Sequence, residues 1–222
     1  MPTSELIRVH YGQRAKGDGC CGETETFSLG SGDVVAAAEL APGELVLDLG
    51  SGTGHDALRA ADIVGPTGRV DGVDFTPEML ARARAAAAGR ANVSFREGDI
   101  TALPFPDASF DVVMTNCVVN LVADKRRVFA EARRVLRPGG RFVISDITFA
   151  SPPDPLVRED TSLVCACVGG AALLSDYVDW LRELGLGEVR IVDGRPYGRF
   201  GGANALAVTL VAREGATRAC CR

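Results

Sequence analysis

The segment Val46-Leu47-Asp48-Leu49-Gly50-Ser51-Gly52-Thr53-Gly54 constrains the fold more than any other. It closes the apolar run Leu45 to Leu49 and leads into His55 to Val64, which reads as a helix. A short apolar run that stops in a Gly-rich turn suits a buried parallel strand. The glycines let backbone come close to a ligand. The bare spacing Gly50-x-Gly52-x-Gly54 also fits dinucleotide folds. A phosphate fingerprint, however, is Gly-x-Gly-x-x-Gly, and His55 occupies the place of its third glycine, which argues against a bound pyrophosphate.

The rest of the core repeats this alternation. Arg69 to Val73, Val93 to Glu97, Phe110 to Thr115 and Arg141 to Ile147 read as further strands. Thr76, Pro77 and Glu78 supply an N-cap, a first-position proline and an early acid for a helix running to Ala88. Lys125 to Leu136 is another helix, stopped by Arg137-Pro138-Gly139-Gly140. Val189 to Val192 and Ala205 to Ala212 look like closing strands. The expectation is an α/β, doubly wound, Rossmann-like sheet of about seven strands with helices on both faces. The expected division is an N-terminal Cys-containing arm (1–34), a nucleoside-binding core (35–150), a C-terminal cap segment with closing strands (151–214) and a Cys-containing tail (215–222). Pro152, Pro153 and Pro155 mark the boundary of the C-terminal segment.

Three acids fall at successive strand ends. Asp48 precedes the glycines and is placed to accept from a cationic amino group. Asp74 lies about 20 residues past the loop, where an acid can take both hydroxyls of a ribose. Gly98-Asp99-Ile100 follows the next strand, where an adenine edge would lie. Each alone could be a turn acid; together they point to one nucleoside site at the switch point of the sheet.

With 222 residues the chain fits one large domain. A net charge of −5 and a pI near 5.1 imply no basic face, so neither nucleic acid nor an acidic membrane is an expected partner. No apolar run reaches the ~18 residues of a membrane span. Met1 to Tyr11 holds no signal-peptide core, and the expected location is cytoplasmic. The 7 cysteines are Cys20, Cys21, Cys117, Cys165, Cys167, Cys220 and Cys221. In a reducing compartment such a set argues for soft-ion binding or catalysis over disulfides. The plainer alternative is that Cys117, Cys165 and Cys167 are small buried hydrophobes.

The motifs VLDLGSGTG, GVD followed by FTPEML, GDI, and LRPGGRFVISD resemble, as a set, those of class I S-adenosylmethionine-dependent methyltransferases. The resemblance implies S-adenosylmethionine as cofactor. Asp48, Gly50, Ser51, Gly52 and Gly54 would surround its methionine part, with Asp74 on the ribose, Met79 against adenine and Asp99 near the adenine amine. Phe75, Ile100 and Asn116 complete the expected cofactor set.

A second resemblance covers nearly the whole chain. Cys20-Cys21-Gly22 after His10-Tyr11-Gly12, NCVVNL with Asp124-Lys125, and CACVGGA are similar to elements of the arsenite methyltransferases. This implies a trivalent arsenical substrate, arsenite or methylarsenite, held as As(III) by Cys21, Cys117 and Cys167, with Cys20 the neighbouring thiol. Cys117 and Cys167 are the expected catalytic pair, and a thiol reductant, thioredoxin or glutathione, the expected partner. Soft thiolates suit As(III), and its lone pair needs no general base to attack a methyl. Many relatives carry Leu-Gly-Cys-Gly where this chain has Leu29-Gly30-Ser31-Gly32, so Ser31 stands at that cysteine. The competing expectations are methylation of an organic acceptor, such as a quinone or sterol-like molecule, and a non-catalytic thiol protein.

Overall fold

The computed structural model describes residues 4–16 and 31–215. Helix α1 (Ser4–Ala15) precedes the sheet, and the short α2 (Val34–Ala38) is capped by the Asp33 carboxylate on the Ala36 N–H. Then come β1 (Leu45–Leu49), α3 (His55–Val64), β2 (Arg69–Asp74), α4 (Pro77–Ala86), β3 (Val93–Glu97) and β4 (Phe110–Asn116). After a 3-10 turn at Val119–Leu121 follow α5 (Lys125–Val135) and β5 (Leu136–Phe149). A cap of α6 (Thr161–Cys165) and α7 (Leu174–Glu183) leads to the hairpin β6 (Glu188–Phe200) and β7 (Ala203–Arg213).

The sheet has seven strands in the order β3-β2-β1-β4-β5-β7-β6. Strands β1 to β5 pair in parallel, and β7 runs antiparallel to β5 and to β6. Both faces of the central strands are buried, which explains their near-continuous apolar runs. One face packs on α5 and α7 through Phe129, Tyr177 and Leu181. The other packs on α2, α3 and α4 through Val35, Ala60 and Leu80. Strand order reverses between β1 and β4, so their C-terminal ends splay apart and leave a crevice there.

Two expectations need correction. Residues before the core are not a bare arm: α1 is a helix laid against α4, with Arg82 donating to the Ala15 carbonyl at 3.0 Å and Lys16 paired to Glu78 at 3.4 Å. Strand β6 runs well beyond Val189 to Val192, because pairing with β7 extends it to Phe200 through a register shift at Pro196. A proline is tolerated at such an edge, where one side of the strand bonds nothing.

Candidate active site

The crevice holds a cavity of about 420 Å³, floored by the ends of β1, β2 and β4 and roofed by Ile7, Tyr11 and Arg14 of α1. Gly50 turns the chain at φ 68°, and a Cβ there would overlap the Val118 side chain. Backbone and Val118 therefore close on one another as only glycine permits. Asp74 braces this loop: one carboxylate oxygen accepts from Gly52 N at 2.9 Å and the other from Thr76 N at 2.8 Å. The Thr76 hydroxyl makes no cap bond, so the expected N-cap of α4 is absent; Asp74 instead holds the Thr76 N–H just before the helix.

Carboxylates dominate the wall: Asp48, Asp56, Asp74, Asp99 and Asp124 all line the cavity. Burial pushes the Asp48 carboxyl well above its usual range, and the nearby charges of Asp56 and Asp74 push it further. A cation placed among them relieves that repulsion, whereas a phosphate would add to it. These donors fit a positively charged sulfonium with an ammonium group, as S-adenosylmethionine has, and do not fit a pyrophosphate cofactor.

At the end of β4 the chain passes through Cys117 at φ 56°, and after α6 it passes through Cys167 at φ 64°. Both are left-handed conformations that side chains other than glycine adopt at a cost. They bring the two side chains together. The Cys167 thiol donates to the Cys117 carbonyl oxygen at 3.0 Å. The Cys117 thiol lies 2.9 Å from the Ser31 hydroxyl, which donates to Asn116 Oδ1 at 2.7 Å. Cys117 lines the cavity; Cys167 is fully buried behind it. The Cys117 thiol, burial and the Asp146 charge raise the Cys167 thiol well above its usual value, while a hydrogen bond with Tyr11 opposes the rise. A thiol raised in this way stays protonated until a thiophilic centre replaces its proton.

Asp48, Gly50, Ser51, Gly52, Asp74, Phe75, Met79, Asp99, Ile100 and Asn116 lie on the cavity wall together with Cys117. Gly54 does not: it is the N-cap of α3 at φ 86°, and a Cβ there would come within 2.7 Å of the Phe95 ring. The lack of a Cβ there serves packing of helix against sheet. Cys165 is buried apart from the pair, and its carbonyl accepts from the Tyr11 hydroxyl at 3.2 Å. Cys20, Cys21, Cys220 and Cys221 lie outside the described residues, so the expected contact of Cys21 with As(III) does too. Sequence reasoning missed Ile7, Tyr11, Arg14, Asp56 and Val118. Asp56 could have been found, since it opens α3 directly after the glycine loop.

A methyltransferase-domain family model matches residues 40–186. An arsenite methyltransferase from Halobacterium salinarum is 49% identical over 228 aligned residues, covering 85% of this chain and 58% of that protein. The crystal structure of an arsenic(III) S-adenosylmethionine methyltransferase from Chlamydomonas reinhardtii superposes with a TM-score of 0.77 at 30% identity, covering 98% of this chain and 76% of that one. A demethylmenaquinone methyltransferase from Thermus thermophilus is 44% identical, but over only 53% of this chain and 52% of that protein. The chain thus spans little more than half the length of these curated relatives. No described helix is long and apolar enough to cross a membrane.

Proposed function

The chain belongs to the arsenite methyltransferase family of class I methyltransferases, and on that premise we propose that it methylates trivalent arsenic bound by Cys117 and Cys167. The observation that carries this reading is that Cys117 lines an acid-lined cavity with the Cys167 thiol directly behind it, 3.0 Å from the Cys117 carbonyl. S-adenosylmethionine supplies the methyl group on a sulfonium. Asp48 and Asp56 hold its cationic end, and Asp74 takes the ribose hydroxyls with the lone pairs that Gly52 and Thr76 leave unused. Cys117 and Cys167 each form an As–S bond as an As–O bond breaks, and each thiol proton leaves with the displaced hydroxide as water. The lone pair of the pyramidal arsenic that these thiolates would hold would be the nucleophile toward the methyl group S-adenosylmethionine would supply, with S-adenosylhomocysteine as the leaving group. Rate enhancement comes from holding the two reactants in line. The free thiols Cys117, Cys165 and Cys167 suit a reducing cytoplasm with thioredoxin or glutathione as reductant.

The test is incubation of the protein with As(III), S-adenosylmethionine and a thiol reductant, with methylated arsenic read by mass spectrometry. Wild type should form it. Cys117→Ser and Cys167→Ser should form none while keeping fold and cofactor affinity, because a hydroxyl is a poor ligand for soft As(III). Full activity in either variant removes that cysteine from the site. Methylation of a demethylated quinone with none of arsenic would favour an organic acceptor.

A further inference from the structure

Asn120 is a polar side chain with no exposed surface, three residues beyond Cys117 in the 3-10 turn that follows β4. Its amide nitrogen donates to Asp146 Oδ1 at 2.7 Å, the Ile147 carbonyl at 2.7 Å and the Cys167 carbonyl at 3.0 Å. Its amide oxygen accepts from the Tyr177 hydroxyl at 3.0 Å. One side chain therefore ties together the turn carrying Cys117, strand β5, the loop carrying Cys167 and helix α7. Burying this much polarity beside an apolar cluster is costly unless every group is matched.

The backbone around Cys167 leaves its carbonyl for this purpose. Helix α6 closes with the Val168 and Gly169 N–H groups both returning to the Leu163 carbonyl at 2.8 Å. The Cys167 carbonyl points away from that closure and meets the Asn120 amide. The following loop also presses on the same turn: a Cβ at Gly170 would overlap the Asn120 carbonyl. The Ile147 and Cys167 carbonyls, which can only accept, decide which end of the amide faces Cys167. The Tyr177 hydroxyl, 3.0 Å from the amide oxygen and 3.2 Å from Asp146 Oδ2, braces the other end.

We propose that Asn120 is a positioning residue that sets the separation of the Cys117 and Cys167 thiols, with the Tyr177 hydroxyl bracing its amide oxygen. This rests on the reading of those thiols as the arsenic ligands. Asn120 touches neither substrate nor cofactor; it acts by holding the left-handed Cys167 at one distance from the turn that carries Cys117.

Phenylarsine oxide is the probe, because it bridges two thiols: two As–S bonds form, the As–O bond breaks, and both thiol protons leave with the oxygen as one water. The full chain is used with Cys20, Cys21, Cys220 and Cys221 replaced by serine, so that adjacent pairs elsewhere do not compete. In that background Asn120→Ala should weaken capture about tenfold and Tyr177→Phe about threefold, the order expected for losing one buried hydrogen bond. Affinity for S-adenosylhomocysteine should stay unchanged in both, and the KM for methylarsenite should rise more than kcat falls. A purely structural role would lower thermal stability and leave dithiol capture intact in the folded protein. Unchanged capture in both folded variants overturns the proposal. If Asn120→Ala does not fold, Tyr177→Phe, which keeps its ring, decides alone: weakened capture supports the proposal and unchanged capture overturns it. Failure of the background protein to capture the probe, or equal capture after Cys117→Ser, instead overturns the arsenic reading on which the proposal stands.

Discussion

Ser31 has no exposed surface, and its hydroxyl is engaged on both sides, donating to Asn116 and accepting from the Cys117 thiol at 2.9 Å. Among the described residues, the group beside the Cys117 thiol is thus an oxygen. Arsenite has three exchangeable positions, whereas methylarsenite has two, one position already being carbon. Two thiols and a hydroxyl match the second compound better, since soft As(III) discriminates against oxygen. Methylarsenite should be methylated several-fold faster than arsenite, and Ser31→Cys should raise arsenite turnover more than methylarsenite turnover. Parallel rates on both substrates check this; arsenite preferred by the wild type, with no gain from the added thiol, means another cysteine already completes the site. Asp74 carries a second prediction. Asp74→Ala removes the ribose acceptor and also frees the Gly52 and Thr76 N–H groups that shape the loop. Cofactor affinity should fall by roughly 2–3 kcal/mol, read by calorimetry with S-adenosylhomocysteine, and unchanged affinity takes Asp74 out of the site.

The elements that carry the thiols are short loops under constraint. Gly170 follows Cys167 by three residues and lies against the Asn120 carbonyl with no room for a Cβ. Gly170→Ala must push the Cys167 loop off the turn after β4, at a cost of about 1–3 kcal/mol. A lower unfolding midpoint and lost methylation, with cofactor affinity retained, are the expected results; full activity would mean that the loop can move without separating the thiols. Elements of this kind explain what was legible. Strands β1 and β4 could be read nearly to the residue because both their faces are buried, which leaves a largely apolar run. Parallel topology then forces the loops at the strands' C-terminal ends to border one crevice, so Asp48, Asp74 and Asp99 could be grouped from spacing. Helix α1 could not be read, because Ile7 and Ala15 are buried while Leu6 and Val9 face outward, so its apolar residues mark no single face. Strand β6 was read short because it is exposed along most of its length and owes its form to pairing with β7. The meeting of Cys117 with Cys167 depends on two positive φ angles 50 positions apart, a tertiary fact with no local signature.

Across the whole molecule, stability should carry the mark of one buried acid. Asp33, held down by Arg59, and Glu131, held down by Arg134, stabilise the fold above the usual carboxylate range and lose that contribution as pH falls through their lowered values. Asp146 works in the opposite sense. Burial raises its carboxyl from 3.8 to about 7, against hydrogen bonds from Ile147 and Tyr177 and the charge of Lys125. Between those values the folded chain keeps a proton that the unfolded chain has released. Raising the pH therefore favours unfolding through that window, and the contribution is fully present below about pH 4 and gone above about pH 7. A difference of about three pH units is worth roughly 4 kcal/mol as an upper bound. Asparagine reproduces the neutral acid: its oxygen can accept from Asn120 and Ile147, and its nitrogen can donate to the Tyr177 oxygen. Asp146→Asn should match wild type below about pH 4, and its advantage should grow from pH 5 to pH 7.5. Lys125 limits the gain, since burial already lowers it to about 8 and the variant removes the carboxylate charge that favours its protonated form. A net advantage of about 1–3 kcal/mol at pH 7.5 remains. Urea midpoints of both proteins at the two pH values decide the matter. An equal difference at pH 5 and pH 7.5 would mean that Asp146 does not titrate in this window, and that its hydrogen bonds alone account for its place beneath the thiols.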